Sequence, residues 1–162
     1  MNKDPFRIAS VRALPEMRLR LTFEDGFTGT VDLRDWITHT RALARLRDPA
    51  VFRKAKVGEW GTAVVFIEDT LDLGADNLRN LAVEQSDGIG HERLWEWMQR
   101  NRLTQEAASS SIGISRRMLN YYLSGAKPIP KTVWLACLGW EAERAAKQPR
   151  SKQARSASAA HI

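Results

Sequence analysis

The 162-residue sequence has a single cysteine, Cys137, and no apolar run approaching the length that crosses a bilayer. One cysteine excludes an internal disulfide framework, and a lone thiol in an apolar helical stretch is typical of a small core residue. Spanning a membrane takes about 20 consecutive apolar residues, and MNKDPFRIASVRALPEM at the start lacks the apolar segment of a secretory signal. We therefore expect no membrane insertion and a reducing, cytoplasmic location.

Acidic residues are also missing from one long stretch, residues 107–140, although the chain contains 19 of them. Residues 1–90 hold 13 Lys or Arg and 14 Asp or Glu, whereas residues 91–162 hold 12 and 5. The whole positive excess therefore belongs to the second part of the chain. Such segregation indicates two units with different roles, of which the second faces a polyanion.

Alternating apolar residues predict a β-hairpin in the first part. Residues 17–23 and 27–33 both have the period of a half-buried strand. A two-residue turn would mix their faces, so the register favours the three-residue loop Glu24-Asp25-Gly26, with a left-handed glycine. This loop places Leu19 opposite Val31.

Further segments complete a small α+β unit that ends at a break, Ser-Asp-Gly-Ile-Gly. Strand-like apolar runs occupy residues 6–14, 51–57 and 62–67, and helices are predicted at residues 35–47 and 75–85. The predicted organisation is listed in chain order: an α+β domain with a small antiparallel sheet and short helices (1–85), a linker (86–90), an all-α domain (91–146) and a disordered basic tail (147–162).

Three helix signals follow the break in close succession. Residues 91–98 carry apolar side chains at i, i+3 and i+4, as an amphipathic helix does. Thr104 is a good N-cap for a second helix, Gly113 suits a left-handed turn, and Ser115 suits the N-cap of a third helix. The spacing predicts two short helices joined by a tight turn.

The third helix has two different faces. Its apolar side chains form one face: Met118, Leu119, Tyr122 and Leu123. Its polar side chains project from the opposite face: Arg116 at the border, Arg117, Asn120, Tyr121 and Ser124. Two short helices with a glycine turn, the second presenting long polar side chains, are typical of a DNA-binding helix-turn-helix. The alternative interpretation of the two arginines is a solubilising helix face.

These residues resemble the lambda-repressor-like (Cro-type) helix-turn-helix over residues 91–142. The spacings of that family are matched by Thr104-Gln105, the Ile-Gly-Ile-Ser of residues 112–115, Leu119, Gly125 and the Lys-Pro-Ile-Pro of residues 127–130. The chain departs from the family at Ala108-Ser109, where a Leu-Ala pair is usual, and at Leu123, where Glu is frequent. The first departure predicts a repacked contact between the first two helices.

The resemblance implies double-stranded DNA as the partner of the second unit. The side chains that would face the groove are Arg116, Arg117, Asn120, Tyr121 and Ser124. Arginine can pair with guanine and asparagine with adenine through two hydrogen bonds each. Side chains suited to phosphate contacts are Gln105, Ser115, Lys127 and Lys131. Phosphates repel carboxylates and exchange counterions for Lys and Arg, which accounts for the acid-free stretch.

The front unit resembles a bacterial module of uncharacterised function over residues 6–82. The resemblance depends on strands that end in Phe-Glu-Asp-Gly and Val-Asp-Leu and on Leu-Arg-Asp-Pro-Ala-Val-Phe at residues 46–52. It implies an α+β fold without established catalytic residues. In that family the module occurs alone, joined to a helix-turn-helix, or beside small toxin-like proteins.

Three functions follow as hypotheses. The first is a sequence-specific DNA-binding protein, a bacterial transcriptional regulator acting as a homodimer, with the front unit serving dimerisation or sensing. The second is an antitoxin-like interaction module that pairs with a small toxin-like protein, with a helix-turn-helix that either autoregulates its operon or has lost DNA binding. The third is a small enzyme that uses the acidic residues Glu68, Asp69, Asp72 and Asp76.

The enzyme hypothesis has little support. The spacing of the four acidic residues fits no calcium loop, and no nucleophile–base pair, metal motif or phosphate-binding glycine loop accompanies them. We predict no catalytic, cofactor or metal site, and a solvated edge or an inter-domain contact for the acidic residues. Packing roles are predicted for four tryptophans: Trp95, Trp97, Trp134 and Trp140.

Overall fold

The computed structural model describes residues 4–148, an α+β part followed by a helical part. The first part contains β1 (Ile8–Leu14), β2 (Arg18–Phe23), β3 (Thr28–Asp32), α1 (Arg34–His39), a 3-10 helix (Arg41–Arg47), α2 (Pro49–Phe52), β4 (Lys56–Val57), a 3-10 turn (Glu59–Gly61), β5 (Ala63–Ile67), β6 (Leu71–Gly74) and α3 (Ala75–Gln85). The second part contains α4 (His91–Arg100), α5 (Gln105–Ile112), α6 (Arg116–Leu123) and α7 (Lys131–Ala146). None of these helices is long and apolar enough to cross a membrane.

The first sheet is antiparallel, in the order β1-β2-β3. Leu19 opposes Val31, and the amide of Phe23 donates to the carbonyl of Phe27 at 2.8 Å across the loop. Gly26 has φ +94° and donates its amide to the carbonyl of Phe23 at 3.0 Å. The predicted three-residue loop and its register are confirmed.

The second sheet has the strand order β4-β5-β6. The elements in and around it differ from those predicted from the sequence. The strand predicted at residues 51–57 is wrong, because Pro49–Phe52 form α2 and only Lys56–Val57 form a strand. Asp48 explains the helix, since its carboxylate accepts the amide of Ala50 at 2.9 Å and proline follows at the first helical position. The helix predicted at residues 35–47 is divided into α1 and a 3-10 helix, and β6 was not predicted.

Helix α3 packs on the first sheet as well as the second. Its Leu78 and Ala82 are buried in the core of the first part. The side-chain amide of Gln85 accepts from the Asp32 amide at 2.8 Å and donates to the Asp32 carbonyl at 3.0 Å, as a neighbouring strand would. The predicted helix at residues 75–85 is confirmed and is firmly attached to β3.

The helical part has a hydrophobic core of its own, centred on Trp97, which is fully buried. The indole of Trp97 donates to the carbonyl of Cys137 at 3.1 Å and meets the ring of Trp140 edge-on at 5.6 Å. Trp134 and Trp140 are half-buried, as packing residues can be. The prediction for Trp95 is wrong, because its side chain lies on the outer side of α4 and is 39% exposed. Most of the predicted tail, residues 149–162, lies outside the described residues.

Candidate nucleic-acid interface

A three-residue connection that begins with Gly113 joins α5 to α6. The Thr104 hydroxyl accepts the amide of Ala107 at 3.1 Å, which caps the start of α5. Gly113 has φ +75° and ψ +31°, a left-handed conformation that carries a steric cost for residues with a Cβ. The Ser115 hydroxyl accepts the amide of Met118 at 3.1 Å and caps α6. The predicted caps and the turn glycine are confirmed.

One face of α6 is packed and fixes the direction of the other. Leu119, Tyr122 and Leu123 are buried in the second core. On α5, Ala108 and Ser109 are both buried, and the Ser109 hydroxyl donates to the carbonyl of its own helix at Glu106 (3.0 Å). The buried Ser109 hydroxyl therefore has a hydrogen-bond partner, and it adds no unsatisfied polar group to the contact between α5 and its neighbouring helices.

The opposite face of α6 carries the predicted groove-facing residues. Four of them are exposed: Arg116, Arg117, Asn120 and Ser124. Tyr121 is half-buried, its hydroxyl accepts from Arg117 Nε at 2.8 Å, and the ammonium of Lys127 lies 4.8 Å from its ring centroid. A cation close to an aromatic face is attracted by the ring quadrupole. Tyr121 therefore joins Arg117 and Lys127 into one contact group on this face.

The remaining predicted residues occupy the ends of the helices. Gln105 is half-buried at the first position of α5, and Lys131 is exposed at the first position of α7. Ser115 is exposed, and its hydroxyl oxygen is occupied as the cap of α6. Within residues 4–148 no hydrogen bond or ion pair connects these three side chains to the group around Tyr121.

The cations of the second part fall into two groups. Three of them pair with carboxylates: Arg93 with Glu84, Arg100 with Glu141 and Lys147 with Glu143. Arg144, on the end of α7, has no carboxylate partner among residues 4–148 and donates to the carbonyl of Asn101 at 3.4 Å. Those around α5 and α6 have no carboxylate partner among residues 4–148: Arg102, Arg116, Arg117, Lys127 and Lys131. No carboxylate of the described residues therefore pairs with the arginines on the outward face of α6 or with Lys127 beside it.

Arg102 is a further unpaired cation that the sequence analysis did not name, and it lines a cleft with Arg100, Glu141 and Arg144 at the end of α7. It is exposed, has φ +53°, and lies two residues before the Thr104 cap. A basic residue just ahead of a helix N-cap is the sequence signal that would have found it.

Helix α3 of the first part caps α4 of the second. The Asn80 side chain accepts the amide of Glu92 at 3.0 Å, and the Glu84 carboxylate accepts the amide of Gly90 at 3.0 Å and pairs with Arg93. A Cβ on Gly90 would lie 1.9 Å from the Asn80 oxygen, so only glycine permits this approach. The C-terminal end of the predicted linker, at Gly90, is therefore held by α3.

The segment before β1 touches the turn after α6. The ring of Phe6 lies 4.5 Å from that of His91, and a Cβ on Gly125 would lie 2.8 Å from the same phenyl ring. Burial lowers the pKa of His91, and Arg79 lowers it further against the opposing effect of Asp76. The neutral imidazole is therefore the form that this contact favours.

Arg79 holds the same segment in place. It is 8% exposed, donates two hydrogen bonds to Asp25 (2.9 and 2.8 Å) and one to the carbonyl of Pro5 (3.0 Å). Its guanidinium also lies 4.1 Å from the ring centroid of Phe27. Burial raises the pKa of Asp25, but the hydrogen bonds from Arg79 and Phe27 outweigh it and hold that pKa below its ordinary value.

The acidic residues named for the enzyme hypothesis are all exposed: Glu68, Asp69, Asp72 and Asp76. Glu68 pairs with Lys56 at 3.0 Å. No group of three or more metal-ligating side chains occurs within residues 4–148. Burial raises the pKa of Cys137 to about 12, so this thiol stays protonated and is a poor nucleophile.

Comparisons with known proteins found one family model and one similar solved structure. The family described as "Protein of unknown function (DUF2442)" matches residues 8–84. The crystal structure of "Putative DNA Binding Protein NE0471" from Nitrosomonas europaea ATCC 19718 is similar, with 41% sequence identity and a TM-score of 0.80 over 89% of this chain and 92% of that chain. No curated protein matches the chain significantly. The chain therefore belongs to the same protein family as the Nitrosomonas europaea protein.

Proposed function

We propose that this chain is a sequence-specific DNA-binding protein, a bacterial transcriptional regulator of the cytoplasm. In this proposal α5 and α6 are the two helices of a lambda-repressor-like helix-turn-helix, and α6 enters the major groove. The observation that carries the proposal is the outward face of α6, where Arg116, Arg117 and Asn120 are exposed on a side without carboxylate partners among the described residues. The name of the Nitrosomonas europaea protein supports it.

The residues of this face have distinct roles in the proposal. Arg117 and Asn120 read bases, and a good two-bond contact of either kind discriminates by about 1 to 3 kcal/mol. Lys127 and Lys131 neutralise phosphates and add affinity without reading sequence. The N-termini of α5 and α6 add the amide donors that Thr104 and Ser115 leave free.

We infer a homodimer as the binding form, because one helix-turn-helix reads few bases and paired half-sites lie about 34 Å apart. The dimer surface that we propose is the outer side of α7, where Leu135 is 51% and Leu138 41% exposed. The variant Leu138→Glu is expected to shift the sedimentation coefficient from dimer to monomer. A wild-type chain that sediments as a monomer both free and on DNA would exclude this arrangement.

The experiment that tests the function is selection of bound sequences from random duplex DNA at two salt concentrations. We expect a palindromic site that Arg117→Ala and Asn120→Ala bind more weakly, with altered base preference at single positions. Lys127→Ala should weaken all duplexes alike and reduce the salt slope by about one unit. Arg45→Ala, on the 3-10 helix of the first part, is the matched control and should bind as the wild type does.

Failure of this selection has a clear meaning. If no sequence is enriched, or if Arg117→Ala and Asn120→Ala bind the selected site unchanged, α6 is not a recognition helix. The antitoxin-like interaction module then becomes the better hypothesis, and retention of a small partner protein by the purified chain is the measurement that follows.

A further inference from the structure

The first part contains a cavity of about 540 Å³ that the DNA-binding proposal does not use. It lies between the β1–β2 turn on one side and the 3-10 helix with α2 on the other. The half-buried Ala13, Leu14 and Met17 contribute accessible apolar walls, and the buried core residues Leu46 and Phe52 lie beneath them. Sites for small molecules occupy about 300 to 1,000 Å³ and are mostly apolar with a few polar groups. The cavity has the size and the lining of such a site.

Two arginines, Arg47 and Arg53, give the lining of the cavity a net positive charge. The Arg47 guanidinium donates to the carbonyl of Thr38 at 3.3 Å, and Arg53 Nε donates to the carbonyl of Pro49 at 3.1 Å. Neither arginine has a carboxylate partner within residues 4–148, so each keeps free N–H donors. Glu16 is the one carboxylate in the lining, and two cations against one anion leave a net positive charge.

The wall opposite the arginines has an unusual backbone. Glu16 and Met17 have φ +64° and +58°, a left-handed conformation that costs a residue with a Cβ about 1 to 2 kcal/mol. Such conformations persist only where the surrounding structure enforces them, and they concentrate at ligand-binding sites. Met17 is half-buried and lines the cavity. Pro15 also lines it, and the proline ring restricts the backbone at the start of the turn.

We propose that this cavity binds a small amphipathic anion. Its apolar body lies against Ala13, Leu14 and Met17, and its carboxylate pairs with the guanidinium groups of Arg47 and Arg53. Charge complementarity sets the class of ligand, since a carboxylate forms strong, charge-assisted hydrogen bonds with arginine. The site does not depend on the proposed DNA-binding function, because all of its residues belong to the first part.

Three probes of equal chain length test the proposal by titration calorimetry on the whole chain without DNA: octanoate, octanol and octylamine. We expect octanoate to bind at least tenfold more tightly than octanol, and octylamine to bind most weakly. The double variant Arg47→Gln with Arg53→Gln should lose about tenfold in octanoate affinity and keep the affinity for octanol. Arg45→Gln, a change of the same kind on the same 3-10 helix but outside the lining, should retain wild-type affinity for both.

A second variant locates the binding. Ala13 lines the cavity from β1, and Ala13→Leu should fill space there and abolish binding of octanoate and octanol alike. Thermal unfolding checks that this variant folds, and if it does not, the arginine double variant decides. The proposal is overturned if octanoate shows no saturable binding, if octanol binds as tightly, if Arg45→Gln loses as much as the double variant, or if folded Ala13→Leu binds unchanged.

Discussion

Tyr121 gives the outward face of α6 a defined geometry. Arginine and lysine side chains in water lose conformational freedom when they bind, which reduces the net gain from each contact. The Tyr121 hydroxyl holds Arg117 at 2.8 Å, and its ring attracts Lys127 at 4.8 Å. Both cations are therefore partly ordered before any partner arrives, so less entropy remains to be lost on binding.

The variant Tyr121→Phe tests this role. Loss of the hydroxyl frees Arg117 while the ring still attracts Lys127, so we expect DNA binding to weaken by about 0.5 to 1.5 kcal/mol. The melting temperature should change little, because the lost hydrogen bond is exposed. Tyr122→Phe removes a hydroxyl from the packed side of the same helix and is the matched control in a filter-binding or anisotropy titration. Equal losses for both variants would show that Tyr121 has no special role.

The role of a residue could be predicted from the sequence where neighbours within a few positions determine it. Thr104, Ser115 and Gly113 were identified from the sequence because caps and left-handed turns are set by neighbours within a few positions. The burial of Arg79 could not be foreseen, because its partner Asp25 lies 54 positions earlier in the chain. Its pairing depends on how α3 lies across the first hairpin, which no local pattern encodes.

At the scale of elements, the α5–α6 connection depends on one backbone conformation. No atom lies within 4 Å of a Cβ built on Gly113, so Gly113→Ala tests the left-handed conformation without any steric clash. We expect a loss of about 1 to 2 kcal/mol in the free energy of unfolding. Gly113→Asn should lose less, since asparagine tolerates this conformation. Chemical denaturation measures both, and equal stability of the two variants would contradict this explanation.

Helix α4 depends on a cap that comes from another element. Asn80→Ala leaves the amide of Glu92 without its acceptor, and the loss of a cap of this kind costs about 0.5 to 2 kcal/mol. Asn77→Ala, on the exposed side of the same helix, is the control because its side chain makes no such contact. We expect denaturant unfolding to show a clear loss for Asn80→Ala and almost none for Asn77→Ala. A similar loss of unfolding free energy in both variants would show that helix propensity, and not the cap on α4, explains the effect.

The elements that sequence reasoning missed are short ones. Strand β6 has four residues, which are too few to show a clear alternation of apolar and polar side chains. Its Asp72 also belongs to the group of acidic residues that was considered as a catalytic site. Val51 and Phe52 read as strand residues because they are β-branched or aromatic, although the Asp48 cap and Pro49 start a helix there. Long periodic segments such as α3 were predicted to the residue because many positions agree.

At the scale of the whole molecule, the two hydrophobic cores are joined by polar contacts and one aromatic pair. The first core draws on residues up to Ala82, and the second begins with the half-buried Ile89. Between them lie the contacts of α3 with α4 and the contact of Phe6 with His91. One member of this junction, His91, is an ionisable group whose pKa burial lowers.

Acidification is expected to weaken this junction through His91. Folding lowers the pKa of His91 from its ordinary value of 6.5, chiefly by burial, so the unfolded chain takes up the proton first as pH falls. The stability that neutral His91 contributes is complete above that value and decreases as pH falls through and below it. His91→Phe keeps a ring against Phe6 and removes the titration.

The measurement compares the free energy of unfolding of wild type and His91→Phe at about pH 8 and at about pH 5, a range in which histidine titrates. Burial raises the pKa of Glu92, which acts in the opposite direction, but Glu92 is present in both chains and largely cancels in the difference. We expect the wild type to lose more stability on acidification than the variant does. An identical loss would mean that His91 is as accessible to protons in the folded chain as in the unfolded one, and the junction would then not respond to pH through this residue.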